Sequence, residues 1–325
     1  MRKIWLTEEY LASISSFPNL HKVEFLISVL RQLDDAVQEE GERDRFRGVL
    51  NVLAMLPDSS CCENRFFALF GKEDLERAKV SLGSAIALIE RSVLGDAVRS
   101  RGLGNLPLCR VKLSEAARRK AGPYLNAKVA LGNCLWLLGS REEAVACLWD
   151  VLELDPDDVR RVRFSLACWL FELGEDRALR RLIRMCFRVT AEVGATAYNE
   201  LEHFTFFYYL ESLMTFRRYG VKGNGLGKFK MALFEAFENN LRVVDFLLGR
   251  ESLPEACPCN AFRPSAHLEA VHCVQHSLRL WQSVPGALEC LEGVIADRKE
   301  GLKRIAADHQ RRLKKEGRIK RDGKN

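Results

Sequence analysis

An all-α protein is what this chain predicts, on three observations. Apolar residues recur at steps of three and four along most of its length, as at Val23, Leu26, Leu30, Leu33 and Val37. No segment sustains the alternation of apolar and polar residues, rich in Val, Ile and Thr, that a half-buried strand needs. Two stretches of similar residue order also place candidate turn glycines, Gly139 and Gly174, 35 residues apart.

The first helix is expected from about Asn19 to Gly41, because Val23 to Val37 fall on one face with charged residues between them. A second is expected from about Arg43 to Leu56, stopped by Pro57, Asp58, Ser59 and Ser60. Residues 73 to 97 read as a third, and the Gly and Pro content of residues 98 to 110 reads as a loop. From Pro123 the small and apolar residues fall in a fixed order: Leu131, Gly132, Leu135, Gly139, Ala144, Leu148 and then Pro156. The next stretch repeats it with Leu166, Ala167, Leu170 and Gly174. Its second helix would bury Leu179, Leu182, Ile183 and Cys186 and leave Arg177, Arg181, Arg184 and Arg188 as a stripe on another face. A third pair is expected from about Thr196 to Arg218 and from about Leu226 to Asn239.

This order resembles the tetratricopeptide repeat, a helix-turn-helix unit of roughly 34 residues. In such a unit Gly132 and Ala144 let two helices approach closely, and Gly139 takes the left-handed turn position. Pro156 ends the second helix, and Asp157 or Asp158 caps the next. Residues 240 to 249, then Leu253-Pro254, Trp281 and Pro285-Gly286-Ala287-Leu288, are similar to the bacterial tetratricopeptide relatives of the animal suppression-of-tumorigenicity protein family. Leu241, Arg242 and Val244 stand where that family has two prolines and a histidine. The resemblance spans roughly residues 123 to 291 and implies a right-handed superhelix of antiparallel helix pairs, an α-solenoid, that binds proteins and supplies no catalytic residue. The expected divisions are a helical hairpin or cap over 1–60, a helical connector over 61–122, repeats over 123–291 and a basic helix and tail over 292–325.

The composition, 47% hydrophobic and 29% charged with 9 Pro and 22 Gly, excludes disorder or a collagen-like chain for the bulk of the protein. The net charge of +6 is uneven, since residues 298–325 carry 12 Lys and Arg against 4 Asp and Glu, leaving the remainder at −2. The 11 cysteines are scattered through helical patterns and read as small buried hydrophobes of a reducing compartment. With no apolar signal region and no membrane-length span, a cytoplasmic address is expected, or a nuclear one in a eukaryote from the basic tail.

The candidate sites are then weighed in turn. Gly220 to Lys228 is rich in glycine, but Lys222 stands where a phosphate loop needs Gly and Phe229 where it needs Ser or Thr, so no nucleotide cofactor is expected. Cys257, Cys259, His272 and His276 form a weak metal candidate, since Cys-x-Cys is a poor chelating gap and surface histidines beside core cysteines explain the cluster better. No nucleophile motif supports an enzyme. In tetratricopeptide arrays the first helix of each pair lines the concave groove. That nominates Asn126, Val129, Asn133, Trp136, Arg161, Phe164, Cys168 and Phe171 for a protein or peptide ligand, with Trp136 and Arg161 foremost. The tail residues Arg311, Arg312, Lys314, Lys315, Arg318, Lys320 and Arg321 offer an electrostatic route to nucleic acid. A solvated, frayed terminus is the favoured reading, since charge runs are commonly disordered, and the absence of an aromatic residue weakens stacking on single strands.

Overall fold

A computed structural model describes residues 19–38, 41–53, 55, 70–93, 115–155, 158, 160–193, 201–254 and 265–297. Every regular element among them is a helix. In chain order these are α1 (Asn19–Gln38), α2 (Glu42–Leu53), α3 (Lys72–Val93), α4 (Glu115–Leu138), α5 (Arg141–Leu154) and α6 (Val162–Glu172). They continue with α7 (Asp176–Val193), α8 (Leu201–Tyr219), α9 (Gly225–Asn240), α10 (Val243–Leu247), α11 (Ala266–Ser283) and α12 (287–297). The helices predicted from periodicity sit within a few residues of these, except that α4 begins eight residues before Pro123 and runs through it. Proline forfeits one helical hydrogen bond at about 3 kcal/mol. The long apolar face of α4, with Leu125, Val129 and Leu135 buried, offsets that loss.

The chain divides into two compact units, Met1–Leu182 and Ile183–Asn325, with the division inside α7. Two of the boundaries expected from sequence fall instead within helices, 122/123 in α4 and 291/292 in α12. The break at 60/61 and the expected loop at 98–110 lie outside the described residues.

In the first unit α1 packs on α2 and α3, and α4 packs on both α3 and α5. Its core is built from Leu26, Leu33, Leu53, Leu82, Ala85, Leu125, Leu148 and Leu166, each almost fully buried. At Gly132 α4 comes close to α5: a methyl group there would sit 3.3 Å from Leu148 Cδ2 and 3.4 Å from Cys147 Cβ. Both predicted turn glycines take left-handed backbone, Gly139 at φ 92° and Gly174 at φ 74°. The bonding around them is the same. Gly139 N–H donates to Trp136 O and Ser140 N–H to Leu135 O; Gly174 N–H donates to Phe171 O and Glu175 N–H to Leu170 O. Each turn thus satisfies the last carbonyls of its helix with a five-residue and a three-residue bond, which is the Schellman arrangement.

In the second unit α8 packs on α9 and α11, and α10 on α11. Phe206, Tyr209, Phe229, Leu233, Val271 and Trp281 fill its core. Asn240 ties the end of α9 to α11 by donating from Nδ2 to Ala266 O at 2.6 Å and to Glu269 Oε2 at 3.1 Å, while the Tyr209 hydroxyl donates to Asn240 O at 2.8 Å.

Candidate partner-binding surface

The residues nominated for a groove are inside the first unit. Asn126, Asn133, Trp136, Phe164 and Phe171 are all buried, as is Val129, and Cys168 and Arg161 are half-buried. Trp136 of α4 stacks on Trp169 of α6 with ring centroids 4.6 Å apart and planes 5° from parallel. The reason is compositional. Residues 162 to 171 of α6 are apolar on nearly every side, and a helix without a polar face is a core helix rather than the floor of an open groove. The assignments of Asn126, Val129, Asn133, Trp136, Phe164 and Phe171 are corrected accordingly: these side chains are spent on packing, whereas Arg161 and Cys168 keep part of their surface exposed.

Asn126 of α4 belongs to a buried polar knot at the α5–α6 connection, where its partner is Arg160, the neighbour of half-buried Arg161. The Arg160 guanidinium donates from Nε to Asn126 Oδ1 at 2.6 Å, from Nη1 to Asp155 Oδ2 at 3.0 Å and from Nη2 to Gly122 O at 3.2 Å. Asp158 accepts from the backbone N–H of Val162 at 2.8 Å and of Arg163 at 3.1 Å, so its carboxylate satisfies open donors at the start of α6. The connection bends sharply, since Asp158 and Arg161 both hold left-handed backbone, at φ 50° and φ 55°. The sequence signalled a capping role for Asp157 or Asp158, but Arg160 carried no signal, because its partners Asn126 and Asp155 meet it only once the chain is folded.

Burial pushes the Asp158 carboxyl up to about 7, against the opposing pull of Arg163 and the two N–H groups. An unfolded aspartate titrates near about 3.9. Between these values the folded chain holds a proton that the unfolded chain has released, so this group's contribution to stability falls as pH rises through the window and levels off above it. The expected result is a urea midpoint that drops between about pH 5 and about pH 7.5, a slope that Asp158→Asn, neutral throughout, should flatten.

A second polar cluster crosses α3, α4 and α5. Lys128, buried, donates to Asp150 Oδ2 at 2.6 Å, and the Tyr124 hydroxyl donates to Glu90 Oε1 at 2.8 Å. Burial and the Glu90 carboxylate push the Tyr124 hydroxyl well above its ordinary value, and burial pushes the Cys147 thiol up to about 11 despite the nearby Lys128. Such a tyrosine and thiol stay protonated at neutral pH and are poor nucleophiles. Between α1 and the start of α3 lies a cleft of about 460 Å³ lined by Leu30, Arg31, Asp34, Phe70, Arg77 and Ser81.

The exposed chemistry of the first unit lies on the second helices of the pairs. Arg177, Arg180 and Arg181 of α7 point to solvent, and the Arg181 guanidinium lies 5.7 Å from the ring of half-buried Trp149 on α5. Asp176 meets Arg180 only loosely, at 3.8 Å. Arg184, in the part of α7 that belongs to the second unit, is also exposed, and the Arg188 side chain lies outside the described residues. The arginine stripe was legible from helical spacing; Trp149 was not, because it joins the row across two repeats.

The remaining candidates are placed as follows. His272 is buried and His276 half-buried on α11, with rings 4.7 Å apart, while Cys257 and Cys259 lie outside the described residues. Among the described residues no group of three potential metal ligands comes together. The tail residues Arg311, Arg312, Lys314, Lys315, Arg318, Lys320 and Arg321 also lie outside them. Gly220 and Gly223 form a left-handed turn between two helices, α8 and α9. No helix among the described residues is long and apolar enough to cross a membrane.

The described part of the chain is thus an all-helical protein with a cationic, tryptophan-edged surface on its first unit. No family model matches it, no curated protein matches it, and no solved structure matches it.

Proposed function

We propose that the protein is a non-catalytic interaction scaffold, an α-solenoid of tetratricopeptide-like helix pairs wound as a right-handed superhelix, that docks an acidic peptide or helix on the arginine row of α7. The observation that carries this reading is the Arg181 guanidinium held over the Trp149 ring at 5.7 Å, beside exposed Arg177 and Arg180. Arginine and tryptophan are the side chains most concentrated at binding hot spots. A guanidinium stacked on an indole is also pre-organised, which leaves less entropy to lose when its outer N–H groups engage a carboxylate. Successive helical turns rise 5.4 Å, so arginines one turn apart match carboxylates one turn apart on a partner helix. The solenoid reading is supported by two hairpins closed by the same turn 35 residues apart and joined through the Trp136–Trp169 stack.

The test is fluorescence anisotropy with a labelled glutamate-rich helical peptide. Arg177→Glu with Arg181→Glu should weaken binding by at least about tenfold, and Trp149→Ala by a similar factor. The competing reading, nucleic acid held by the basic tail, makes a different forecast. Binding of a labelled oligonucleotide that survives these substitutions and is lost on deleting residues 298–325, with no peptide binding at all, would overturn the scaffold reading in favour of the tail.

A further inference from the structure

Seven large apolar side chains are left exposed among the described residues, and five of them, Tyr219, Val221, Met231, Phe234 and Leu241, fall between residues 219 and 241 of the second unit. Met231 is 68% exposed, Phe234 44% and Leu241 45%. Their spacing is ordered: Met231, Phe234, Glu238 and Leu241 step by 3, 4 and 3, which is the seam of a two-helix coiled coil on the outer face of α9. The opposite face of the same helix is spent on the core, through buried Phe229, Leu233, Ala236 and Phe237.

Charge decides what fits this seam. Lys228 and Glu235 are seven residues apart, so both project along the same edge of it, one at each end, and both are exposed. When two copies of α9 lie antiparallel, that edge meets itself. Lys228 then faces Glu235 of the second copy, and the two-fold axis repeats the pair. In a parallel, in-register arrangement Glu238 would instead face Glu238 of the second copy across the seam, like against like. The antiparallel register that seats Met231 on Phe234 of the second copy also sets Glu238 opposite Gly227, where no side chain fills the space. There the carboxylate comes near Lys228 of the second copy, while Lys230 stays paired with Asp297 of its own chain at 2.9 Å.

From this self-complementary pattern we infer that the outer face of α9 is a homodimer interface, in which two copies of the chain pair antiparallel about a two-fold axis between Met231 and Phe234. Isologous contact requires that one patch carry both halves of every interaction, and this helix does so in its apolar pair and in its ion pair. Lys228 keeps its place over the Tyr219 ring, 3.9 Å away, which holds the ammonium at the edge of the seam. The seam is short, with a single apolar layer repeated by symmetry, and an association in the micromolar range is expected rather than an obligate dimer.

Sedimentation equilibrium of the full chain from about 1 to about 100 µM tests this. The expected result is a reversible monomer–dimer equilibrium. Met231→Glu should weaken it by at least about 100-fold, and Phe234→Ser should do the same. Both side chains are exposed, so the helical circular-dichroism signal should be unchanged. Lys228→Glu alone and Glu235→Lys alone should each weaken the dimer by about tenfold, and the two together should restore it to within about threefold of the parent. A chain that stays monomeric over the whole range, a dimer indifferent to Met231→Glu and Phe234→Ser, or a charge reversal that does not rescue would each overturn the inference. The outcome is independent of the arginine row, since none of these residues belongs to it.

Discussion

Arg160→Met is expected to destabilise the first unit by about 3–5 kcal/mol, because it removes one partner of a buried ion pair and leaves the other charged. Arg160 and Asp155 are both buried, and the guanidinium also donates to Asn126 and to Gly122 O. Losing it strands the Asp155 carboxylate in the interior and unties the α5–α6 connection from α4. The measurement is the shift in urea midpoint at constant slope. A second variant separates a lost charge partner from lost packing: Arg160→Met combined with Asp155→Leu removes both charges and should recover most of the loss. If the double variant is as unstable as the single, the cost lies in packing rather than in an uncompensated carboxylate.

Trp169→Ala is expected to cost about 3–5 kcal/mol. Trp169 is almost fully buried, and the parallel stack on Trp136 adds roughly 0.5–1.5 kcal/mol beyond area alone. The informative control is Trp149→Ala. That indole is half-buried and its neighbour Arg181 is exposed, so its removal should change stability by less than about 1 kcal/mol while weakening peptide capture. A Trp149→Ala protein as unstable as Trp169→Ala would assign Trp149 to packing and weaken the case for a docking surface there.

The sequence carried the helices and their turns because both rest on local physics. Steps of three and four located α1 to α3 and α8 to α9 to within a few residues, and Gly139 and Gly174 took the left-handed turns their positions predicted. The arginine row of α7 was legible for the same reason, since helical spacing alone puts its members on one face. The expected groove was misplaced because the nominated face was assigned by analogy of position, whereas the evidence against it was already local. From Phe164 to Phe171 only Ser165 is plainly polar, and a segment so uniform has no exposed side to offer. Arg160, Asp155 and Asn126 were illegible for the converse reason: a polar knot is defined by which residues meet in space, and no periodicity announces it. The division inside α7 was equally silent, because an amphipathic helix reads the same whichever unit buries it.

The two Schellman turns also have a kinetic side. Each is closed by hydrogen bonds between residues three and five apart, so it forms with almost no loop-closure entropy to overcome. The Asn126–Arg160 bond joins residues 34 apart and is rewarded only once both of its hairpins stand. A chain whose contacts are mostly of the first kind folds early and pair by pair, with the polar knot fastening last. Sequence separation is therefore expected to set the order of assembly in this half of the molecule, so that stopped-flow measurements on a variant with a lesion in the knot should show faster unfolding with folding little slowed.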